Sequence, residues 1–219
     1  MYTGLIFDFD GTLYDARNFG KRLILQNLKM YEYVKVLKSI SRPLETKVFA
    51  SGSAYKMFLF EAMADALNKA HPDKPPINAT TMGHWYHHEY YPAIIRLLEK
   101  SYQSEPQCQN ILLTLSRRYP LSLYADIGVI DERLRAVGLQ PTIFANRMST
   151  DETGTVRPAP KSYKSLAKLM RSPTSSTLVI GDSPLIDGES AKGAGMEFFH
   201  IDPNDFSGSW SRLKKLLLH

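Results

Sequence analysis

The chain contains a single cysteine, Cys108. One thiol can form neither an internal disulfide nor a multi-cysteine zinc site, and it fits a reducing compartment. No apolar run approaches the length of a bilayer span. An acidic stretch beginning at residue 8 interrupts the N-terminal region before a secretory leader could develop. These absences lead us to expect a cytoplasmic protein with no membrane partner. Basic residues are not grouped: the formal charge of +5 is spread along the chain, with no Lys/Arg block of the kind that tracks a nucleic-acid backbone. A nucleic-acid polymer is therefore not an expected partner, whereas small anions are. Internal repeats and low-complexity segments are also missing.

The 219 residues are 43% apolar and 22% charged, enough for one sizeable domain or a domain carrying a substantial insertion. Residues 3–8 form a short apolar run without alternation, the mark of a strand buried on both faces. From about 16 to 104 the pattern is helical. Ile24, Leu28, Tyr31, Val34 and Leu37 follow steps of three and four, as do Met57, Phe60, Ala64 and Leu67. Breaks fall at Arg42-Pro43, at Ser51-Gly52 and across 71–76, and Pro92 is expected to kink or restart the helix over 79–101. After Pro106 helix and strand alternate: strands are predicted at 121–125, 141–145, 177–181 and 197–201, with helices between them and an amphipathic helix at the C-terminus. Such alternation implies an α/β fold with a doubly wound parallel sheet. The helical block separates the first strand from its partners, so it reads as an inserted subdomain.

Ligands of such sheets bind at the carboxyl ends of the strands. There the sequence places Asp8 and Asp10, Ala125-Asp126, and Gly181-Asp182-Ser183 with Asp187 beyond, while Arg157 lies in the loop before the helix preceding the fourth strand. Carboxylates gathered at one point need a cation, and hard oxygen ligands suit Mg²⁺. Asp8 is then placed to attack phosphorus. Asp10 can protonate the leaving oxygen and later activate water. Gly11 permits a tight turn, the Thr12 hydroxyl is expected to orient Asp10, and Arg157 supplies positive charge for phosphate oxygens.

DFDGT at 8–12, RPAP at 157–160 and GDSPLID at 181–187 resemble the signature of the haloacid dehalogenase-like (HAD) hydrolase superfamily. The resemblance spans nearly the whole chain. It implies a Rossmann-like core at 1–15 and 105–219, a helical cap of the C1 type at 16–104, and Mg²⁺-dependent phosphoryl transfer on a small phosphorylated metabolite such as a nucleotide or sugar phosphate. By family role Asp8 is nucleophile and metal ligand. Asp10 is acid/base and offers its backbone carbonyl to the metal, Asp182 is a ligand, and Asp187 is a ligand or its support. Thr12 and Ser183 are supporting residues, and the backbone N–H groups of Phe9, Asp10 and Asp126 join Arg157 in holding phosphate. YPAIIRLLEKSY, the Ala125-Asp126 pair and GDSPLIDGESAKGAGM look most like bacterial relatives of the pyrimidine-nucleotidase type.

Two positions depart from the family pattern. Ala125 stands where Ser or Thr normally meets the phosphoryl group, and Arg157 replaces the usual Lys, with Lys161 as a fallback one turn into the following helix. Plainer readings stand beside the functional ones: a structural ion pair for Arg157, an N-cap for Asp126, a solvated face for Arg17, Lys21 and Arg22, and packing for His84 and His88. A phosphomutase shares the same carboxylates, and the missing hydroxyl at 125 leaves room for a catalytically weak binding protein. A lost hydroxyl contact costs roughly 1–3 kcal/mol. Ala125→Ser is accordingly expected to raise steady-state phosphate release, by up to about two powers of ten; an unchanged or lower rate would show that the second strand is misaligned.

Overall fold

The computed structural model describes residues 1–218. GLIFD forms β1 (Gly4–Asp8), with all five residues buried, so both of its faces must be covered. The chain then runs through five helices, α1 (Phe19–Gln26), α2 (Tyr31–Ser41), α3 (Gly52–Ala70), α4 (Ala79–Trp85) and α5 (Tyr91–Ser101), before α6 (Pro106–Ser116) leads back to the sheet. From there β2 (Leu121–Ala125), α7 (Ile130–Ala136), β3 (Asn146–Ser149), the short α8 (Thr150–Thr153), α9 (Lys161–Leu169), β4 (Thr177–Gly181), α10 (Glu189–Ala194), β5 (Glu197–His200) and α11 (Phe206–Leu218) alternate. The strands are all parallel, in the order β3-β2-β1-β4-β5. This is the doubly wound α/β sheet expected from the alternation.

Side chains of β1 alternate between two layers. Leu5 and Phe7 belong to the larger core, with Leu112 and Leu115 of α6, Leu134 of α7 and Trp210 and Leu213 of α11. Ile6 faces Tyr163, Leu166 and Ala167 of α9 and Ala191 of α10. The larger core continues without a break into α1–α5 through Leu59, Met63, Ile94 and Leu97. Among the described residues no helix is long and apolar enough to cross a membrane.

Two local expectations are corrected. PTIFA (141–145) is not a strand: Pro141–Ile143 is a 3₁₀ turn, because Pro141 has no N–H for a ladder and Phe144 is drawn edge-on to Phe7, with ring centroids 5.9 Å apart. The third strand is the more polar Asn146–Ser149 beside it. The helical stripes hold at Val34, Leu37, Phe60, Ala64 and Leu67, which are buried, but fail at Leu28, Tyr31 and Met57, which are exposed while Leu23, Met30, Tyr55, Leu59 and Met63 are buried. Pro92 does restart its helix. A π-helical turn, Tyr86–Tyr90, joins α4 to α5 in continuous helical backbone, and Pro92 sits in the first turn of the resumed α-helix, where the widened turn accommodates its missing N–H.

The C-terminal helix is fastened beneath the loop that follows β1. The Trp210 ring is fully buried and stacks on Phe7 at 6.1 Å with a 9° interplanar angle, and its Nε1 donates to the Thr12 carbonyl at 3.1 Å. Trp210→Ala empties that layer and orphans the carbonyl, so a loss of about 3–5 kcal/mol in stability is expected from denaturant unfolding. A loss under about 1 kcal/mol would mean that α11 does not anchor the loop.

Candidate active site

The parallel register brings three strand ends together. Asp8 closes β1 and pairs with Tyr124, so Ala125 and Asp126 lie just past it. Phe7 pairs with Ile180, so Gly181 and Asp182 lie just past it on the other side. Two glycines make room for the carboxylates. Gly11 has φ +80° and a methyl there would collide with the Asp182 carboxylate, and one at Gly181 would collide with that of Asp187. Three of the four sequence-predicted carboxylates therefore converge, all but that of Asp10. One oxygen from each of Asp8, Asp182 and Asp187 lies within 4.8 Å of the others.

Arg157 enters this cluster from the loop before α9, almost wholly buried. Its Nη1 donates to Asp8 Oδ1 at 2.7 Å and to Asp187 Oδ1, and its Nε donates to Asp126 Oδ1 at 2.9 Å. Arg157 is thus both an ion-pair partner and the positive group beside Asp8. Burial works against its charge, but Asp126, Asp8 and Asp187 together push its pKa well up. Burial likewise drives Asp8 far above the ordinary carboxylate range. Arg157 pulls it down, and Asp187, Asp182 and Asp10 push it up again. Asp182 is pushed up to about 6 by burial and by Asp187. For Asp126 burial is outweighed by Arg157, and it is held below the usual range. Asp126 is not an N-cap, since α7 begins after Val129.

Supporting contacts differ in part from expectation. The Thr12 hydroxyl donates to Asp8 Oδ2 at 3.3 Å; it orients Asp8 and not Asp10, because four residues along the turn its side chain lies back over the strand end. The Ser183 backbone N–H donates to Asp187 Oδ2 at 3.2 Å, and its Oγ accepts from Ile186 N at 3.3 Å. Asp10 turns its carboxylate away from the three-carboxylate cluster, toward Tyr14 (2.5 Å) and Arg133 (2.6 Å). The Phe9 ring is buried under Arg133, whose guanidinium carbon lies 4.1 Å from the ring centroid. Lys161 is exposed at the start of α9 and makes no contact with the cluster.

Three site residues escaped the sequence reading. Tyr163 donates to Asp187 Oδ1 at 2.9 Å. Asp151 accepts from Gly128 N at 2.7 Å, Tyr91 OH at 2.6 Å and Tyr86 OH at 3.1 Å, tying the loop after β2 to the helical segment. Arg133 carried a signal: with Ile130, Leu134 and Val137 it falls on the apolar stripe of α7, where a surface arginine does not belong.

A cavity of about 240 Å³ opens over Arg157 and Asp126. Ile127, Thr150, Val156 and Ile186 line it from the sheet side, and Leu37, Lys38, Ser41, Arg42, Tyr55, Tyr86 and Tyr90 from the helical segment. A second, of about 150 Å³, reaches Asp182 past Gly11, Asp15 and Arg17. The larger groove along α9, about 480 Å³, touches none of the carboxylates, so size alone does not mark the site. Lys21 and Arg22 line neither of the two site cavities. Arg22 stacks over Tyr102 at 5.5 Å. His84 and His88 stack at 4.4 Å, and among the described residues no third ligand joins them.

The donor set fits a small, hard divalent cation. Asp8, Asp182 and Asp187 offer oxygen only; burial raises all three, and neighbouring carboxylates add to it, a cost that Mg²⁺ would offset.

A family model described as haloacid dehalogenase-like hydrolase matches residues 5–201. Among solved structures, a HAD phosphatase from Thermococcus onnurineus is 19% identical with a TM-score of 0.61, over 98% of this chain and 97% of its own. A 2-haloacid dehalogenase from Pseudomonas syringae pv. Tomato DC3000 is 21% identical with a TM-score of 0.58, over 91% and 86%. The HAD-hydrolase YfnB from Bacillus subtilis, bound to magnesium, is 18% identical with a TM-score of 0.57, over 90% and 87%. Identities this low speak to fold alone. No curated protein matches the sequence.

The raised Asp182 sets a pH dependence. Between the ordinary carboxylate range and about 6 the folded, metal-free protein keeps a proton that the unfolded chain releases. Stability from this group is therefore present at low pH and lost as pH rises through about 6. Asp182→Asn should raise the melting temperature in chelator at about pH 8 and lose that advantage near pH 4. Added Mg²⁺ should stabilise the parent protein more than the variant. A melting temperature lowered by the substitution at about pH 8 would refute the charge balance described here.

Proposed function

The chain belongs to the haloacid dehalogenase-like hydrolase family, and from that premise we propose that it is a Mg²⁺-dependent phosphatase of a small phosphorylated metabolite. One observation carries the reading. Asp8, at the end of the central strand, sits with Asp182 and Asp187 inside 4.8 Å and has Arg157 at 2.7 Å. A nucleophilic carboxylate is thus held between a metal-binding oxygen cluster and a guanidinium able to grip phosphate oxygens.

Asp8, Asp182 and Asp187 would hold the ion, with the Asp10 carbonyl as the family role suggests. When bound, Mg²⁺ supplies charge neutralisation for the phosphoryl oxygens. An Asp8 oxygen attacks phosphorus as the ester P–O bond breaks, and Asp10 gives a proton to the departing oxygen. Asp10 then takes a proton from water as that water attacks the aspartyl-phosphate, and the P–O bond to Asp8 breaks to restore the carboxylate. Arg157 follows the phosphoryl group through both steps. The helical segment acts as the cap, and the cavity of about 240 Å³ over Arg157 receives the leaving group. Its volume lies just below the usual range of ligand pockets, which favours a small metabolite. An acid two residues beyond Asp8 and a carboxylate cluster both favour phosphoester chemistry over carbon–halogen cleavage, which needs neither.

The test is phosphate release from a broad phosphomonoester panel with Mg²⁺. At least one ester should be hydrolysed, and Asp8→Asn should abolish the activity while the protein stays folded. Silence across the whole panel, with beryllium fluoride and Mg²⁺ still binding at Asp8, would instead favour a phosphoryl-binding protein without turnover.

A further inference from the structure

We infer that Arg133, assisted by Tyr14, is the positioning residue of Asp10: a buried guanidinium that aims the acid/base carboxylate at the leaving oxygen. The inference rests on the phosphatase reading above.

Four observations converge on Arg133. Its side chain is 1% exposed, although it stands on a short helix outside the carboxylate cluster. It spans two loops at once, donating from Nη2 to Asp10 Oδ2 at 2.6 Å and from Nη1 to the Ile127 carbonyl at 2.9 Å. Its plane rests on the Phe9 ring at 4.1 Å, the residue between the two catalytic aspartates. Nε is buried without a partner, a cost that salt-bridge stability alone does not explain.

Tyr14, fully buried, holds the other oxygen of Asp10 at 2.5 Å. Each carboxylate oxygen carries two lone-pair sites, so both contacts leave Asp10 free to meet a substrate oxygen on its remaining side. That side is open: the Asp10 side chain is 39% exposed. With both oxygens fixed, the carboxylate cannot swing into the Asp8–Asp182–Asp187 cluster or out to solvent. Ile127 lines the cavity over Arg157, so the guanidinium also couples the aim of Asp10 to the wall of the leaving-group cavity. Lysine cannot replace this fork, because a single ammonium does not reach two acceptors in fixed directions.

The consequence is specific to proton transfer. Breaking an alkyl phosphate requires a proton on the leaving oxygen, whereas p-nitrophenolate departs without one. The experiment compares kcat/KM for the best alkyl ester of the panel and for p-nitrophenyl phosphate, since this parameter reads steps up to departure of the leaving group. Arg133→Lys should lower the alkyl value about 10–100-fold, part of the usual general-acid contribution, and the aryl value by less than about 3-fold. Tyr14→Phe, which leaves Arg133 in place, should give the same split more weakly and carries the test if the arginine variant does not fold. Equal changes on both esters, in whichever variant folds, overturn the inference while leaving the phosphatase reading intact. A parent protein that hydrolyses neither ester overturns both.

Discussion

The structure turns on a shortage of positive charge. Asp8, Asp126 and Asp187 all lean on one guanidinium, that of Arg157, and Asp182 shares the same space without reaching it. Such an arrangement opposes folding unless something else holds the carboxylates in place. The surroundings do so from every side: Thr12 on Asp8, Tyr163 and the Ser183 N–H on Asp187, and glycines at 11 and 181 where any side chain would strike a carboxylate. Packing two layers away, such as Trp210 against Phe7 and the Thr12 carbonyl, keeps the loop after β1 from relaxing. An assembly of like charges maintained at this expense is the kind of cluster that marks a functional site, and the proposed phosphatase gives it a cation and a phosphoryl group to hold.

Much of this was legible in the sequence, and the reasons are physical. Strands buried on both faces have few ways to be written, so β1, β2 and β4 were found at their ends. The aspartates stand at those ends because helices cover every other part of the sheet. PTIFA misled because composition cannot separate a buried strand from a buried turn, and Pro141 decided the matter. The helical stripes failed at Leu28, Tyr31 and Met57 because several registers of a helix are nearly equally apolar; the choice is made by neighbours far away in the chain. Arg133 and Tyr163 were hidden for a related reason. Their roles depend on partners 123 and 24 residues away, and only the closed fold supplies that pairing.

Asp151 shows how the two parts of the chain are joined. A carboxylate buried among Tyr86, Tyr91 and the Gly128 N–H has its pKa raised by desolvation and drawn back by those three donors. The same residue therefore fixes the loop that carries Asp126 and Ile127 and the helices that wall the cavity. Tyr86 serves twice, as a donor to Asp151 and as part of the cavity lining. The π-helical turn that presents it is widened just ahead of Pro92, so an irregularity in the helix delivers a tyrosine to the core.

The sheet order has a cost during synthesis. The central strand is made well before its hydrogen-bonding partners, β2 and β4. The second of these begins at Thr177, and at about 5–20 residues per second the wait is roughly ten to thirty seconds. For that time the edge of LIFDFD that will meet β4 stays open, on an apolar segment that ends in two carboxylates. Like charges at its end disfavour pairing of the waiting strand with copies of itself, a benefit of Asp8 and Asp10 that applies before the fold closes around them.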